Sequence, residues 1–155
     1  MNNNDTTSKC IMLFSASIFL IPVAIILYIM LKKKAIISIN SMYLLEKDLV
    51  TYYEHYINKK SLFEHNKTVV ERNKEDLYSQ FEILDDLEVS IFLIKDKMAD
   101  FDNHYKFVKN LSVMKIQDTI LEKDYSKYRF NYSDELSNIN HIKKKIYKKF
   151  ESLNA

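Results

Sequence analysis

The chain has 155 residues, with 23 basic and 21 acidic side chains and a formal charge of +2, a balance that argues against a general nucleic-acid binder. It has no glycine, no tryptophan, a single proline and a single cysteine. That composition excludes a phosphate-cradling Walker loop, a dinucleotide fingerprint, a Gly-x-Ser-x-Gly nucleophile elbow and an intramolecular disulfide. Without Gly and Pro to punctuate the chain, long helices joined by short polar turns are expected. The fold class expected is all-α: one N-terminal transmembrane helix followed by a small antiparallel helical bundle with coiled-coil-like packing.

Residues 1–9 read as a short non-cytoplasmic tail. From Cys10 to Leu31 there is no charged residue. A helix of that length covers about 33 Å at about 1.5 Å per residue, enough for the hydrocarbon core, so 10–31 reads as a transmembrane helix. The apolar run is longer than that of a cleaved signal peptide and ends in Lys32, Lys33 and Lys34 rather than at a small-residue cleavage site. Pro22 is tolerable inside a membrane helix. Three lysines on the trailing side, against Asp5 and Lys9 on the leading side, put the N-terminus outside and residues 32–155 in the cytoplasm. Asn66-Lys-Thr, Asn110-Leu-Ser and Asn131-Tyr-Ser are glycosylation triplets that would favour the reverse orientation if used, but they arise by chance in an Asn-rich chain. Cys10, at the membrane edge, reads first as an inert thiol and second as an S-acylation site.

After the lysines, Met42, Leu45, Leu49, Tyr53 and Tyr56 follow three-to-four spacing, which predicts an amphipathic helix running on from the membrane to about Lys59. Asn58, Lys59 and Lys60 suit its end, and Ser61-Leu-Phe-Glu64 matches a capping box that would start a new helix. A bend is expected near Arg72 to Lys74. From Leu77 a heptad takes over: Leu84, Ile91, Met98 and Tyr105 form one row, and Leu87, Ile94, Phe101 and Val108 the other. Asn110-Leu-Ser reads as a turn. Ile116, Ile120 and Leu121, continued by Tyr125 and Tyr128, suggest another helix, and Arg129 to Ser133 a loop. Ser133 or Asp134 would then cap a final helix with Leu136, Ile139, Ile142, Ile146, Phe150 and Leu153 on one face.

Each apolar stripe must be buried against something. Packing inside the chain is the cheapest solution, with a parallel homodimeric coiled coil as the competing one. Charge supports the first. The heptad helix is acidic (Glu82, Asp85, Asp86, Glu88), and the final helix carries Lys143, Lys144, Lys145, Lys148 and Lys149. Those lysines have a rival reading, contact with anionic lipid.

No reaction chemistry is legible. His55, His65, His104 and His141 include no i, i+4 pair and no Glu-x-x-His, so neither a metal nor another cofactor is expected, and no enzyme activity. The candidate interaction residues are Tyr53, Tyr56, Lys95 and the final lysines, Lys143, Lys144, Lys145, Lys148 and Lys149.

The order of tail, single membrane helix and helical domain resembles the LemA family. Ile39-Asn40 stands where that family has a Tyr-Asn pair. Met42, Leu45, Leu49, Tyr53 and Tyr56 follow at the family's apolar positions, and Leu84, Glu88, Ile91, Lys95 and Tyr105 fall at its late-helix spacing. The resemblance implies a membrane-tethered helical domain without established catalytic residues. Together these readings predict a non-enzymatic scaffold or adaptor whose partners are the bilayer and other membrane-associated proteins. The alternative is a structural subunit of a larger membrane complex, assembled through an intermolecular coiled coil.

Overall fold

A computed structural model of the chain describes the backbone of residues 3–69, 74–111 and 114–153, and the side chains of 20–66, 74–111 and 114–153. Among these residues there is no strand. Three α-helices are present: α1 (Asn3–Val69), α2 (Lys74–Asn110) and α3 (Tyr132–Ser152), with short 3₁₀ turns at Thr119–Leu121 and Ser126–Tyr128.

The first helix is unbroken for 67 residues, or about 100 Å at 1.5 Å per residue. This corrects the expected break at Asn58–Lys60 and the capping box at Ser61. The reason lies in a row the helix must keep on one face. Ala35, Met42, Leu49, Tyr56 and Phe63 recur every seven residues and are all buried. Ending the helix at Lys60 would turn Phe63 out of the seam. Keeping it in the seam outweighs one cap, because a fully buried side chain of this size contributes about 1.5–3 kcal/mol and a cap about 1 kcal/mol.

The second helix carries the anticipated double heptad. Leu84, Leu87, Ile91, Ile94, Met98, Phe101 and Val108 are buried, and Tyr105 is partly so. The seam closes on α1 within the same chain. The two helices run antiparallel: Lys34 lies over the Phe107 ring at 5.1 Å near one end, and Lys59 bonds Asp86 at 2.5 Å towards the other. The expected bend at Arg72–Lys74 falls mostly on residues outside those described.

Between α2 and α3 the expected helix does not form. Ile120, Tyr125 and Tyr128 are buried as the apolar pattern required, but on an irregular strap that lies against both long helices. Two Asp side chains divert the backbone. Asp118 accepts from the Ile120 N–H at 3.0 Å, and Asp124 from the Ser126 N–H at 2.8 Å, local bonds that compete with helix formation. Lys123 bonds Glu46 at 2.9 Å and Arg129 bonds Asp102 at 2.5 Å, fastening the strap to α1 and α2. The sequence has no glycine for the left-handed backbone the strap needs, so Lys115 takes it, at φ 47°.

The final helix starts earlier than expected. Asn131, not Ser133 or Asp134, is the cap, its side chain accepting from the Asp134 N–H at 3.3 Å. Ile139 and Ile146 are buried, Leu136, Ile142 and Phe150 pack at the margin, and Leu153 stays 45% exposed. Tyr78 meets Phe150 edge-on at 5.1 Å, and Lys60 bonds Glu135 at 2.9 Å. α3 therefore packs antiparallel on α2, with Lys60 tying its start to α1.

Candidate interaction surface

The sequence-predicted candidates separate into three environments. Tyr56 is only 4% exposed, so it is core and not a docking residue. Its ring stacks on Phe130 at 5.2 Å, with 13° between the planes, and Lys60 donates to its hydroxyl at 3.1 Å. Burial, followed by the Glu135 charge, raises the Tyr56 pKa against the lowering effect of Lys60. At Lys60 burial works downward, and the bonds to Glu135 and Tyr56 more than reverse it, so the ammonium is held charged. Tyr53 is half-buried, edge-on to Tyr128 at 5.3 Å, with Lys127 over its ring at 5.8 Å. Both tyrosines bind the strap to α1. They form an internal joint.

Lys143 is also structural. Its side chain is 13% exposed and bonds both Asp85 and Glu88, the latter at 2.5 Å, while its Nζ lies 5.4 Å over the Phe81 ring. Burial lowers its pKa and the two carboxylates raise it, with a net upward shift. This is the pairing expected between the acidic and basic helices. Lys95 is exposed on α2.

Lys144, Lys145 and Lys148 are exposed on α3 and do come together. With Lys143, His141, Tyr147, Phe81 and the Glu151 carboxylate they line an open groove of about 660 Å³. Lys149 is half-buried behind them. Next to the groove, and sharing Phe81 and Tyr147 with it, lies an apolar cleft of about 240 Å³, completed by Leu77, Tyr78, Ile146 and Phe150. Tyr78 and Tyr147 are 62% and 59% exposed, large aromatics left open beside a row of ammonium groups. Sequence reasoning missed the cleft. Its signal was Tyr78, an aromatic one position off the heptad row at Leu77, opposite the exposed Tyr147 beside buried Ile146. The cleft sits where α2 begins and α3 ends, about 50 Å along α1 beyond Leu31 at 1.5 Å per residue. The final lysines therefore lie far from the apolar N-terminal stretch.

That stretch has a different character. Leu20, Ile21, Val23, Ile25, Ile26, Leu27, Ile29 and Met30 are all at least half exposed, on every side of α1. Among the described residues no helix is long and apolar enough to cross a membrane. The side chains of residues 10–19, including Cys10 and the first half of the expected span, lie outside those described. Among the described residues no cluster of three His, Cys, Asp or Glu side chains is placed to hold a metal ion. Comparison with protein-family models, with curated proteins and with solved structures found no match.

Proposed function

We propose that this chain is a membrane-anchored helical scaffold without catalytic activity, which holds an aromatic and basic cleft at a fixed height above the bilayer for a protein partner. The observation that carries the reading is the segment from Leu20 to Met30, apolar and exposed on all sides of a helix that continues without a break into the bundle. A helix that is apolar all round needs an apolar surrounding, a protein core or lipid, and no described part of the bundle buries this segment. In this proposal residues 10–31 span the bilayer, the N-terminus lies outside, and the bundle is cytoplasmic, as Lys32, Lys33 and Lys34 favour. The order of parts that resembles the LemA family belongs to the same proposal.

The cleft between α2 and α3 suits an amphipathic segment with apolar anchors and flanking carboxylates. Phe81, Tyr147 and Tyr78 offer rigid aromatic area, and Lys144 and Lys148 offer the complementary charge. A second reading, a structural subunit of a larger membrane complex, is favoured by the outer face of α1, where Ile36, Ile37 and Leu44 remain 51%, 54% and 69% exposed. The expected intermolecular seam on α2 is already occupied by α1, so such a complex would assemble through α1.

Photo-crosslinkers placed at Tyr147 and at Lys95 in native membranes test the leading reading. Partner adducts at Tyr147 that vanish in a Tyr78→Asp variant, with none at Lys95, support it. Equal adducts at both positions, or release of the chain by alkaline carbonate, would overturn it. Adducts confined to a probe at Leu44 would favour the second reading.

A further inference from the structure

The antiparallel return of α2 brings a second set of lysines down to the level of the first. Lys34 lies 5.1 Å over the Phe107 ring, so the last turn of α2 ends beside the turn of α1 that follows Leu31. That end of the bundle gathers Lys32, Lys33 and Lys34 from α1, Lys106 and Lys109 from α2, and Lys115 from the strap, all exposed. The sequence contributes no carboxylate between Asp5 and Glu46 or between Asp102 and Asp118. The carboxylates that border the cluster are turned elsewhere: Asp102 to Arg129, Asp118 to the Tyr43 hydroxyl at 2.6 Å, and Glu46 to Lys123. Among the described residues none of the six lysines pairs with a carboxylate. Tyr105 further orients Lys109, whose Nζ is 3.2 Å from the phenol oxygen and 5.2 Å from the ring centre.

Within this end lies a pocket of about 270 Å³. Val108, Leu111 and Ile116 supply an apolar floor, and Lys109 and Lys115 supply charge. We propose that this lysine-rich end of the bundle is a docking surface for the anionic headgroups of the leaflet that the helix enters. The proposal rests on the membrane-anchor reading above. An ammonium next to an apolar floor matches a phosphate next to the glycerol and first methylenes of a lipid. Reach decides between the basic surfaces. Lys34 is about 5 Å along the helix past Leu31, inside a Debye length of about 8–10 Å. The lysines of α3 stand about 40–50 Å out, several Debye lengths too far to sense the surface. The charge rule that orients membrane helices counts lysines near the anchor in sequence; here the fold adds Lys106, Lys109 and Lys115, remote in sequence and adjacent in space.

The full chain is reconstituted into phosphatidylcholine vesicles and into vesicles of phosphatidylcholine with phosphatidylserine, and each lysine is read by a water-soluble amine reagent and peptide mass spectrometry. Labelling of Lys106, Lys109 and Lys115 is expected to slow about fivefold in the anionic vesicles, with Lys144 and Lys148 unchanged, and the difference should disappear at high salt. Equal ratios at the two ends of the bundle would overturn the proposal. So would the same protection produced in neutral vesicles by inorganic phosphate, which would make a free anion the ligand. A Lys106→Glu, Lys109→Glu, Lys115→Glu variant with unchanged circular dichroism should lose the anionic-vesicle protection of Lys32, Lys33 and Lys34; if that protection persists, the α2 and strap lysines are not part of the surface. Alkaline carbonate extraction separates the two failures, since release from the vesicles defeats the anchor, whereas retention with equal labelling defeats only the docking surface.

Discussion

Replacing Phe101 by Ala tests whether the α2 seam is closed by its own chain. The Phe101 side chain is fully buried, with its ring centre 4.4 Å from that of Tyr125 and 6.4 Å from that of Tyr105. Truncation removes about 1.5–3 kcal/mol of transfer free energy, and the cavity left among α1, α2 and the strap brings the total to about 3–5 kcal/mol. For a bundle of marginal stability, about 5–15 kcal/mol, that is a large fraction. Phe92, on the same helix but 51% exposed, is the internal control, with an expected cost within about 0.5 kcal/mol. Urea unfolding of the full chain in mild detergent, followed by tyrosine fluorescence and circular dichroism, should show the Phe101→Ala midpoint lowered by about 2 M if the slope is about 1.5–2 kcal/mol per M. Phe92→Ala should leave the midpoint within about 0.3 M. Both midpoints should be independent of protein concentration, because the partner helix is covalently attached. Equal costs at the two positions, or a midpoint rising with concentration, would refute the intramolecular seam.

Lys143→Met should cost about 1 kcal/mol, the upper range for a partly exposed pair, because it leaves Asp85 and Glu88 facing an uncharged neighbour; adding Asp85→Asn and Glu88→Gln should recover most of it, the single and triple variants being compared by urea midpoint. Lys115→Gly should stabilise the bundle by about 1 kcal/mol, since glycine adopts φ 47° without the Cβ conflict, and thermal melting would register the gain. Stability should fall on the alkaline side. The pKa values of Tyr56, Tyr125 and Tyr132 are raised by burial, and that of Lys60 by its partners, so the folded state binds more protons than the unfolded one above about pH 10. Their contribution is complete below the unfolded values and is lost as pH rises through the folded ones. Tyr56→Phe should flatten that slope in pH-dependent melts.

The double row on α2 was legible because burial on one side of a long helix imposes a strict period, and Leu84 to Val108 keep it without interruption. The matching row on α1, from Ala35 to Phe63, was equally present. It is obscured by Ser61 and Glu64, whose pattern imitates a helix start, and by Lys59 and Lys60, which resemble a helix end in sequence but pair with Asp86 and Glu135. In the strap the apolar spacing marks the buried residues but does not set their backbone. Ile120 and Tyr125 are buried by whatever backbone brings them to the core, and Asp118 and Asp124 decide which backbone that is. Of the candidate surface, the α3 lysines were visible as a charge run. The aromatic cleft beside them needed the crossing of α2 and α3, which no local pattern encodes. The lysine-rich end likewise depends on antiparallel pairing, which places Lys106 and Lys109 beside Lys34.

The unbroken course of α1 has a mechanical consequence. From Leu31 to Val69 the helix extends about 57 Å at 1.5 Å per residue, without proline or glycine to act as a hinge. Such a shaft converts rotation at its root into travel at its tip. If residues 10–31 span a bilayer as proposed, a change of about 10° in their tilt, well within the range that bilayer thickness imposes, would sweep the distal end sideways by about 10 Å. In that proposal, lipid composition would set where the far end of the molecule reaches.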